Sequence, residues 1–153
     1  MELINQNDLN GQFSCGNWWR GPTCAAGRLG RNAAQTSWAV TREVSNAPWT
    51  AAALSYAAAV GGECHGRSGG LLECMVADFP GYGDQVTIGN VVFNTTGERM
   101  KNERLAHETK HSDQWALFGA DFAIDYLIQQ GIVGECNFWE WWAGFGSGGY
   151  DQC

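Results

Sequence analysis

The sequence is short of charge, and above all of basic charge. Only 16% of its 153 residues are charged, and 9 lysines and arginines against 16 aspartates and glutamates give a net charge of −7. Proteins that bind nucleic acids usually carry a clustered basic face, and this chain has no basic run. The composition therefore argues against a nucleic-acid partner. A hydrophobic share of 44% also argues against disorder.

Long apolar runs are absent as well. The most apolar stretch, residues 47–60, is shorter than the roughly 20 residues that a helix needs to cross a bilayer. Residues 1–12 lack the charged start and the apolar run of a signal peptide. We expect no membrane span. For export we expect a segment upstream of residue 1, a larger exported parent chain, or a dedicated secretion system.

Cysteine is abundant, with six residues, but the CxxC spacing typical of structural zinc sites is absent. The cysteines fall into three local pairs: Cys15/Cys24, Cys64/Cys74 and Cys136/Cys153. Spacing alone does not fix disulfide connectivity, so bridges between nearest neighbours are the first hypothesis. Because disulfides persist in oxidising compartments, we expect a secreted or extracellular location, or another oxidising compartment.

The N-terminal part of the sequence predicts helices. Residues 33–45 indicate a short helix, and residues 47–60 a second one with Asn46 as its cap and Pro48 in its first turn. The double glycine that follows is a typical helix stop. We expect residues 1–60 to form a helical and irregular lobe that packs on the core.

Residues 61–153 predict that core. Two short strands flank a glycine-rich turn within 63–76, and residues 86–93 are β-branched and apolar, as in a further strand. The later segments predict helices over 98–118, with a capping box at Thr95–Glu98, over 120–130, and from Asn137 onward. This order indicates an α+β fold, in which helices pack on a small antiparallel sheet and disulfides staple the chain.

Two of the three histidines stand four residues apart, in the run LAHETKHSDQW (105–115). Because residues i and i+4 share a helix face, His107 and His111 can both direct ring nitrogens at one metal ion. Glu108 lies about 100° round the helix and can reach the open coordination position. A zinc hydrolase needs this arrangement, since the glutamate takes a proton from the zinc-bound water. The alternative is an ordinary solvated face that includes Glu108, Lys110 and Asp113.

A third ligand has to come from another element. The metzincin pattern would require a histidine where Leu117 stands, so that class is excluded. Glu140 is preferred because it lies on a separate predicted helix in the apolar run NFWEWWAG, where a buried carboxylate needs a partner. It could instead form a capping box with Asn137. Other candidate ligands are Asp113, Asp121, Asp125, Glu135 and His65.

The groups around the metal are less sharply indicated. A ligating histidine usually donates its second N–H to a carboxylate or carbonyl, and the available polar groups are Asp113, Asp121, Asp125 and Asn137. A donor for the oxyanion of the transition state is also expected. Tyr150 is the first choice for this role, ahead of His65, Tyr126 and Arg104.

The runs HETKHSDQWALFG and CNFWEWWAGFGSGGY resemble a group of bacterial HExxH zinc-metallopeptidase-like domains of gluzincin type. Such domains are associated with exported actinobacterial proteins and with toxin and contractile-injection systems. The resemblance covers roughly residues 61–153. It implies a zincin-like fold, a peptide or protein substrate, zinc held by His107, His111 and Glu140, and Glu108 as the catalytic base.

The sequence thus predicts a small exported zinc peptidase, and two alternatives remain open. Eight tryptophans and several cysteines would also suit an exported, disulfide-bonded binding module with a structural or vestigial zinc site. The same chemistry could instead belong to a metalloprotease toxin domain that acts on a competitor's proteins.

Overall fold

The computed structural model describes the backbone from residue 22 and the side chains from residue 33, except at residues 82, 151 and 152. The chain divides into two compact units, Met1–Trp38 and Ala39–Cys153. The contacts reported below lie within the second unit. The expected division after residue 60 stays a prediction, and the expected Cys15–Cys24 bridge lies outside the described residues.

One long helix, α1 (Pro22–Ala59), takes the place of the two helices expected over residues 33–60. Asn46 is not a helix cap, because its fully buried amide lies inside α1 and donates to Asn90 and Ser112. Pro48 also lies inside the helix, where it removes one backbone hydrogen bond. Tertiary contacts of α1 therefore outweigh the local signals for a break at this point.

Four short strands form one mixed sheet with the order β1-β2-β4-β3. They are β1 (Glu63–Gly66), β2 (Leu72–Met75), β3 (Gln85–Ile88) and β4 (Val91–Asn94). The β1–β2 and β3–β4 pairs are antiparallel, whereas β2 and β4 are parallel. The expected all-antiparallel sheet is therefore wrong. After β2 the chain skips the neighbouring position, forms β3 at the edge of the sheet, and then turns back to place β4 between β2 and β3.

A tight hairpin replaces the single strand expected over residues 86–93. Gly89 has a φ of 60°, and a Cβ atom there would lie 2.7 Å from the backbone nitrogen of Thr50 on α1. Only glycine fits this close approach, and the Gly89–Asn90 pair is itself a hairpin signal. After this reversal all four residues of β4 are buried. Val91 and Phe93 pack against α1, and Val92 packs against Leu105 on the other face of the sheet.

The later helices are α2 (Asn102–Phe118), α3 (Ala120–Val133), α4 (Phe138–Ala143) and α5 (Phe145–Gly148). The expected capping box at residues 95–98 is wrong. There the Asn94 side chain accepts from the backbone N–H and the hydroxyl of Thr96, and α2 begins only at Asn102. The predicted end of this helix at residue 118 is confirmed, and Gly119 follows it, whereas α3 continues beyond the predicted residue 130 to Val133.

Two predicted disulfides are present. Cys64–Cys74 joins residues that face each other on β1 and β2, and Cys136–Cys153 ties the C-terminal residue to the segment before α4. These bridges are compatible with an oxidising location.

The fold is α+β, and α2 lies at its centre in contact with β3, α3, α4 and α5. The opposite face of the sheet packs against Ala53 and Ala57 of α1. None of the helices in the described part of the chain has the length and apolar character that crossing a membrane requires.

Candidate metal centre

Both histidines of the HExxH segment point inward from α2. His107 and His111 are 1% and 6% exposed, and their Nε2 atoms lie 3.0 Å apart. The helical spacing therefore places the two rings together, as predicted, and it buries them rather than leaving them on a solvated face.

Glu140 completes the group from the first turn of α4. Its Oε2 lies 3.0 Å from Nε2 of His107 and 3.4 Å from Nε2 of His111. Asn137 caps α4 by accepting from the backbone N–H groups of Trp139 and Glu140, whereas the Glu140 carboxylate faces the histidines. Among the described residues, His107, His111 and Glu140 form the group that could hold a metal ion.

The outer nitrogens of the two rings fix their tautomers. Nδ1 of His107 lies 3.1 Å from the Gly144 carbonyl, which only accepts, so this nitrogen carries the proton. Nδ1 of His111 lies 2.8 Å from Oε1 of Gln114, whose amide nitrogen donates to the Trp139 carbonyl. The Trp139 carbonyl thus fixes which end of the Gln114 amide faces His111. Since that end is the oxygen, Nδ1 of His111 must donate. In the neutral form of each ring, this tautomer presents an Nε2 lone pair to the centre.

Glu140 is held on its other side by Tyr126, whose hydroxyl donates to Oε1 at 2.6 Å. Burial works to raise the pKa of Glu140, but the two imidazoles and Tyr126 outweigh it, so the pKa lies well below its ordinary value. Burial and the Glu140 charge raise the pKa of Tyr126. Burial works to lower the pKa of His111, but Glu140 and the Glu108 charge raise it overall. A positive charge is thus favoured between these groups.

Glu108 stands beside the group rather than in it. It is 3% exposed, Oε2 accepts from the Thr87 hydroxyl of β3 at 2.6 Å, and Oε1 lies 3.4 Å from Nε of Arg104. The Arg104 Nε in turn donates to Gln85. The edge of the sheet and one arginine therefore fix the orientation of this carboxylate.

The C-terminal segment covers His107. The rings of Tyr150 and His107 have their centres 5.9 Å apart, and the Arg104 guanidinium lies 5.6 Å from the centre of the tyrosine ring. Burial and the Glu140 charge raise the pKa of Tyr150, so the phenol stays protonated at neutral pH. A Cβ atom on Gly148 would lie 2.6 Å from Cε1 of His107, so glycine is required for this packing.

A cavity of about 240 Å³ opens beside the centre. Its polar lining residues are Gln85, Thr87, Glu108, His111, Tyr126, Glu140 and Tyr150. Its remaining walls are apolar and comprise Phe79, Val86, Ile88, Trp115, Phe122, Ala123 and Leu127. We call this cavity the cleft. An apolar pocket with a few convergent polar groups is the usual form of a ligand site.

The other candidate ligands lie elsewhere. His65 and Asp121 are exposed, as is Glu135, while Asp113 pairs with Arg42 at 3.2 Å. Asp125 accepts from Nε1 of Trp139.

The partners of the histidine N–H groups also differ from the expected Asp113, Asp121, Asp125 and Asn137, since they are Gln114 and the Gly144 carbonyl. The spacing of Gln114, three residues after His111 on the same helix face, could have indicated it. No sequence signal marks a backbone carbonyl or the contact of Thr87 with Glu108.

Comparison with family models, with curated proteins and with solved structures found no match for this chain.

Proposed function

We propose that the protein is a zinc-dependent hydrolase, and more narrowly a peptidase, whose metal is held by His107, His111 and Glu140. The observation that carries the proposal is that three buried ligand atoms face one another. With both ring protons on Nδ1, Oε2 of Glu140 has no hydrogen-bond partner. Two lone pairs and a carboxylate oxygen repel one another unless a cation or a proton lies between them.

The donor set and its spacing suit zinc. Two imidazoles and one carboxylate form the His₂Glu set found in catalytic zinc sites, where a fourth position stays open. Metal–ligand distances of about 2.0–2.2 Å place the ligand atoms of a tetrahedral site roughly 3.3 Å apart. The three separations among the ligand atoms here are 3.0, 3.0 and 3.4 Å.

The chemistry follows from groups around the cleft. Bound zinc lowers the pKa of a water molecule and polarises a substrate carbonyl. Glu108 accepts a proton as the water oxygen bonds to the carbonyl carbon, and it returns that proton to the leaving amine as the C–N bond breaks. Thr87 and Arg104 keep its carboxylate in place. Tyr150 donates a hydrogen bond to the oxyanion that develops in the transition state.

The sheet edge favours a peptide over other hydrolysable substrates. All four residues of β3 line the cleft, and β3 is an outer strand of the described sheet. An outer strand can accept an extended peptide through main-chain hydrogen bonds. Such a peptide would pass the Glu108 carboxylate, which Thr87 of the same strand holds.

Metal content tests the centre. We expect about one zinc per chain after purification without added metal, and a large loss of zinc in Glu140→Ala. Glu135→Ala is the matched control, since it removes an exposed carboxylate outside the group and should keep the metal. Elemental analysis provides the measurement. A folded wild type that takes up no zinc even when zinc is offered would refute the centre.

Glu108→Gln tests catalysis. This variant should retain zinc and hydrolyse casein at least about 100-fold more slowly, because the general base is lost. Glu103→Gln changes an exposed carboxylate on the same helix and should leave the rate unchanged. If the zinc-loaded wild type hydrolyses no peptide, or if Glu108→Gln matches it, the peptidase proposal fails and a binding module with structural zinc becomes the better account.

A further inference from the structure

Helix α3 leaves an aliphatic surface open to solvent. Phe122 is its one buried residue among those described, whereas Ile124, Leu127 and Ile128 are 58%, 53% and 55% exposed. Single exposed aliphatic side chains are ordinary, but neighbouring ones on one helix face are typical of a binding surface.

This surface is continuous with the cleft. At about 100° per residue, Ala123, Leu127, Ile124 and Ile128 follow one another round the helix over about 140°. Ala123 and Leu127 line the cleft, and Leu127 is also half exposed. These four residues, which we call the α3 surface, therefore lead from the cleft wall to the outside of the molecule.

We infer that the α3 surface binds an apolar stretch of the substrate chain adjacent to the bond in the cleft. This inference rests on the proposed peptidase function, and it names the substrate class as unfolded or extended polypeptide with several aliphatic or aromatic residues in succession. A short polar peptide would fill the cleft without reaching Ile124 and Ile128.

Charge supports an apolar occupant over an anionic one. The cleft lining contains Glu108 and Glu140, and no lysine or arginine is among the described residues that form it. The net charge of the chain is −7, which repels acidic peptides and anionic membrane surfaces. An uncharged apolar segment avoids this repulsion and gains the burial of three exposed aliphatic side chains.

The test uses binding, so that it does not depend on turnover. The probe is fluorescein-labelled, dephosphorylated β-casein, an unfolded apolar chain, and binding to Glu108→Gln protein is measured by fluorescence anisotropy. Ile124→Gln/Ile128→Gln is compared with Val40→Gln/Val44→Gln. The control pair has the same spacing on α1 and similar exposure, 59% and 69%, and lies outside the cleft lining. Circular dichroism and zinc content establish that both variants are folded alike.

We expect the α3 variant to raise the Kd for β-casein about tenfold or more, and the α1 variant to leave it unchanged. Equal affinity in the two variants would overturn the inference. So would a dimer that only the α3 variant dissociates, since the surface would then be an interface between copies. In another outcome, the wild type binds no zinc or cleaves no casein while casein binding still depends on the α3 surface. That result would refute the peptidase proposal alone.

Discussion

Gln114 joins two of the three candidate ligands. It is fully buried, its carbonyl oxygen accepts from His111, and its amide nitrogen donates to the backbone carbonyl of Trp139, which precedes Glu140. A single side chain thus fixes the tautomer of one ligand and the position of the backbone that carries another. Such partners of metal ligands orient the ring and raise its basicity.

Gly148 tests how closely the centre is packed. A methyl group in Gly148→Ala would lie 2.6 Å from Cε1 of His107, so the ring or α5 has to move. We expect zinc affinity to fall about tenfold or more, the usual scale when ligand orientation is disturbed. Competition titration with a zinc chelator dye measures it.

Gly146→Ala is the matched control, because it lies on the same short helix and its Cβ atom would meet nothing within 4 Å. Equal zinc affinity in the two variants would contradict the packing of α5 on His107.

At the level of residues, the sequence predicts what is periodic or chemically exceptional. The helical spacing of His107 and His111 and the apolar setting of Glu140 point to the three residues that lie together. Gly148 and Thr87 carry no such signal, because their contacts with His107 and Glu108 depend on where α5 and β3 lie in space. The role of the Gly144 carbonyl cannot be predicted from the sequence either, since every residue has a backbone carbonyl.

The segment between Cys136 and Cys153 supplies several groups at the centre, beside those that come from α2, α3 and β3. It carries Glu140, the carbonyls of Trp139 and Gly144, and Gly148 and Tyr150. Its helices α4 and α5 have only six and four residues, too few to be stable alone. The disulfide closes this segment at both ends, so it should hold the third ligand near the histidines.

Removing this disulfide should therefore weaken the metal centre. In Cys136→Ala/Cys153→Ala we expect zinc affinity to fall at least about tenfold, because Glu140 and both carbonyls lose their restraint. We also expect the free energy of unfolding to fall by about 2–4 kcal/mol. Chelator competition and chemical denaturation measure the two quantities.

Cys64→Ala/Cys74→Ala is the control, since that bridge joins β1 to β2. It should lower stability and leave the zinc affinity of the folded protein unchanged. Equal loss of zinc affinity in both double variants would mean that the effect arises from general destabilisation and not from the segment.

Elements were predicted well where local signals act alone and poorly where packing competes with them. The Gly119 stop of α2 and the Asn137 cap of α4 were readable. The break predicted at Asn46 is wrong, because burial of the Asn46 amide against Asn90 and Ser112 outweighs its capping preference and α1 continues through it. The parallel β2–β4 pair was also missed, since pairing between distant strands has no local signal.

At the scale of the whole second unit, polar networks connect α1, the sheet and α2. Asn46 of α1, Asn90 of the hairpin and Ser112 of α2 are mutually hydrogen-bonded. Ser112 directly follows His111 in the chain. A second network holds the sheet to the start of α2. There Glu73 of β2 is 1% exposed, accepts from Asn94 and the Met100 N–H, and pairs with Arg67.

The Glu73 network gives stability a defined pH dependence. Burial works to raise the pKa of Glu73, but the Met100 N–H, Asn94 and Arg67 outweigh it and lower the pKa below 4.5. A carboxylate with a lowered pKa in the folded state stabilises the protein above its unfolded pKa, and that stabilisation is lost as the pH falls towards the folded value. The contribution of Glu73 should thus be complete at neutral pH and fade below about pH 4.5.

Glu73→Gln should show this directly. At pH 7 we expect the free energy of unfolding of the variant to be about 1–3 kcal/mol lower than that of the wild type, because an amide cannot accept from all three donors. The difference from wild type should shrink as the pH falls below 4.5. Denaturant titrations in the presence of a chelator measure it without a contribution from metal release. Glu63→Gln, at an exposed site on β1, should match wild type throughout. If the difference in the free energy of unfolding between Glu73→Gln and wild type stays constant from neutral to acidic pH, this network does not hold the Glu73 carboxylate in its charged form.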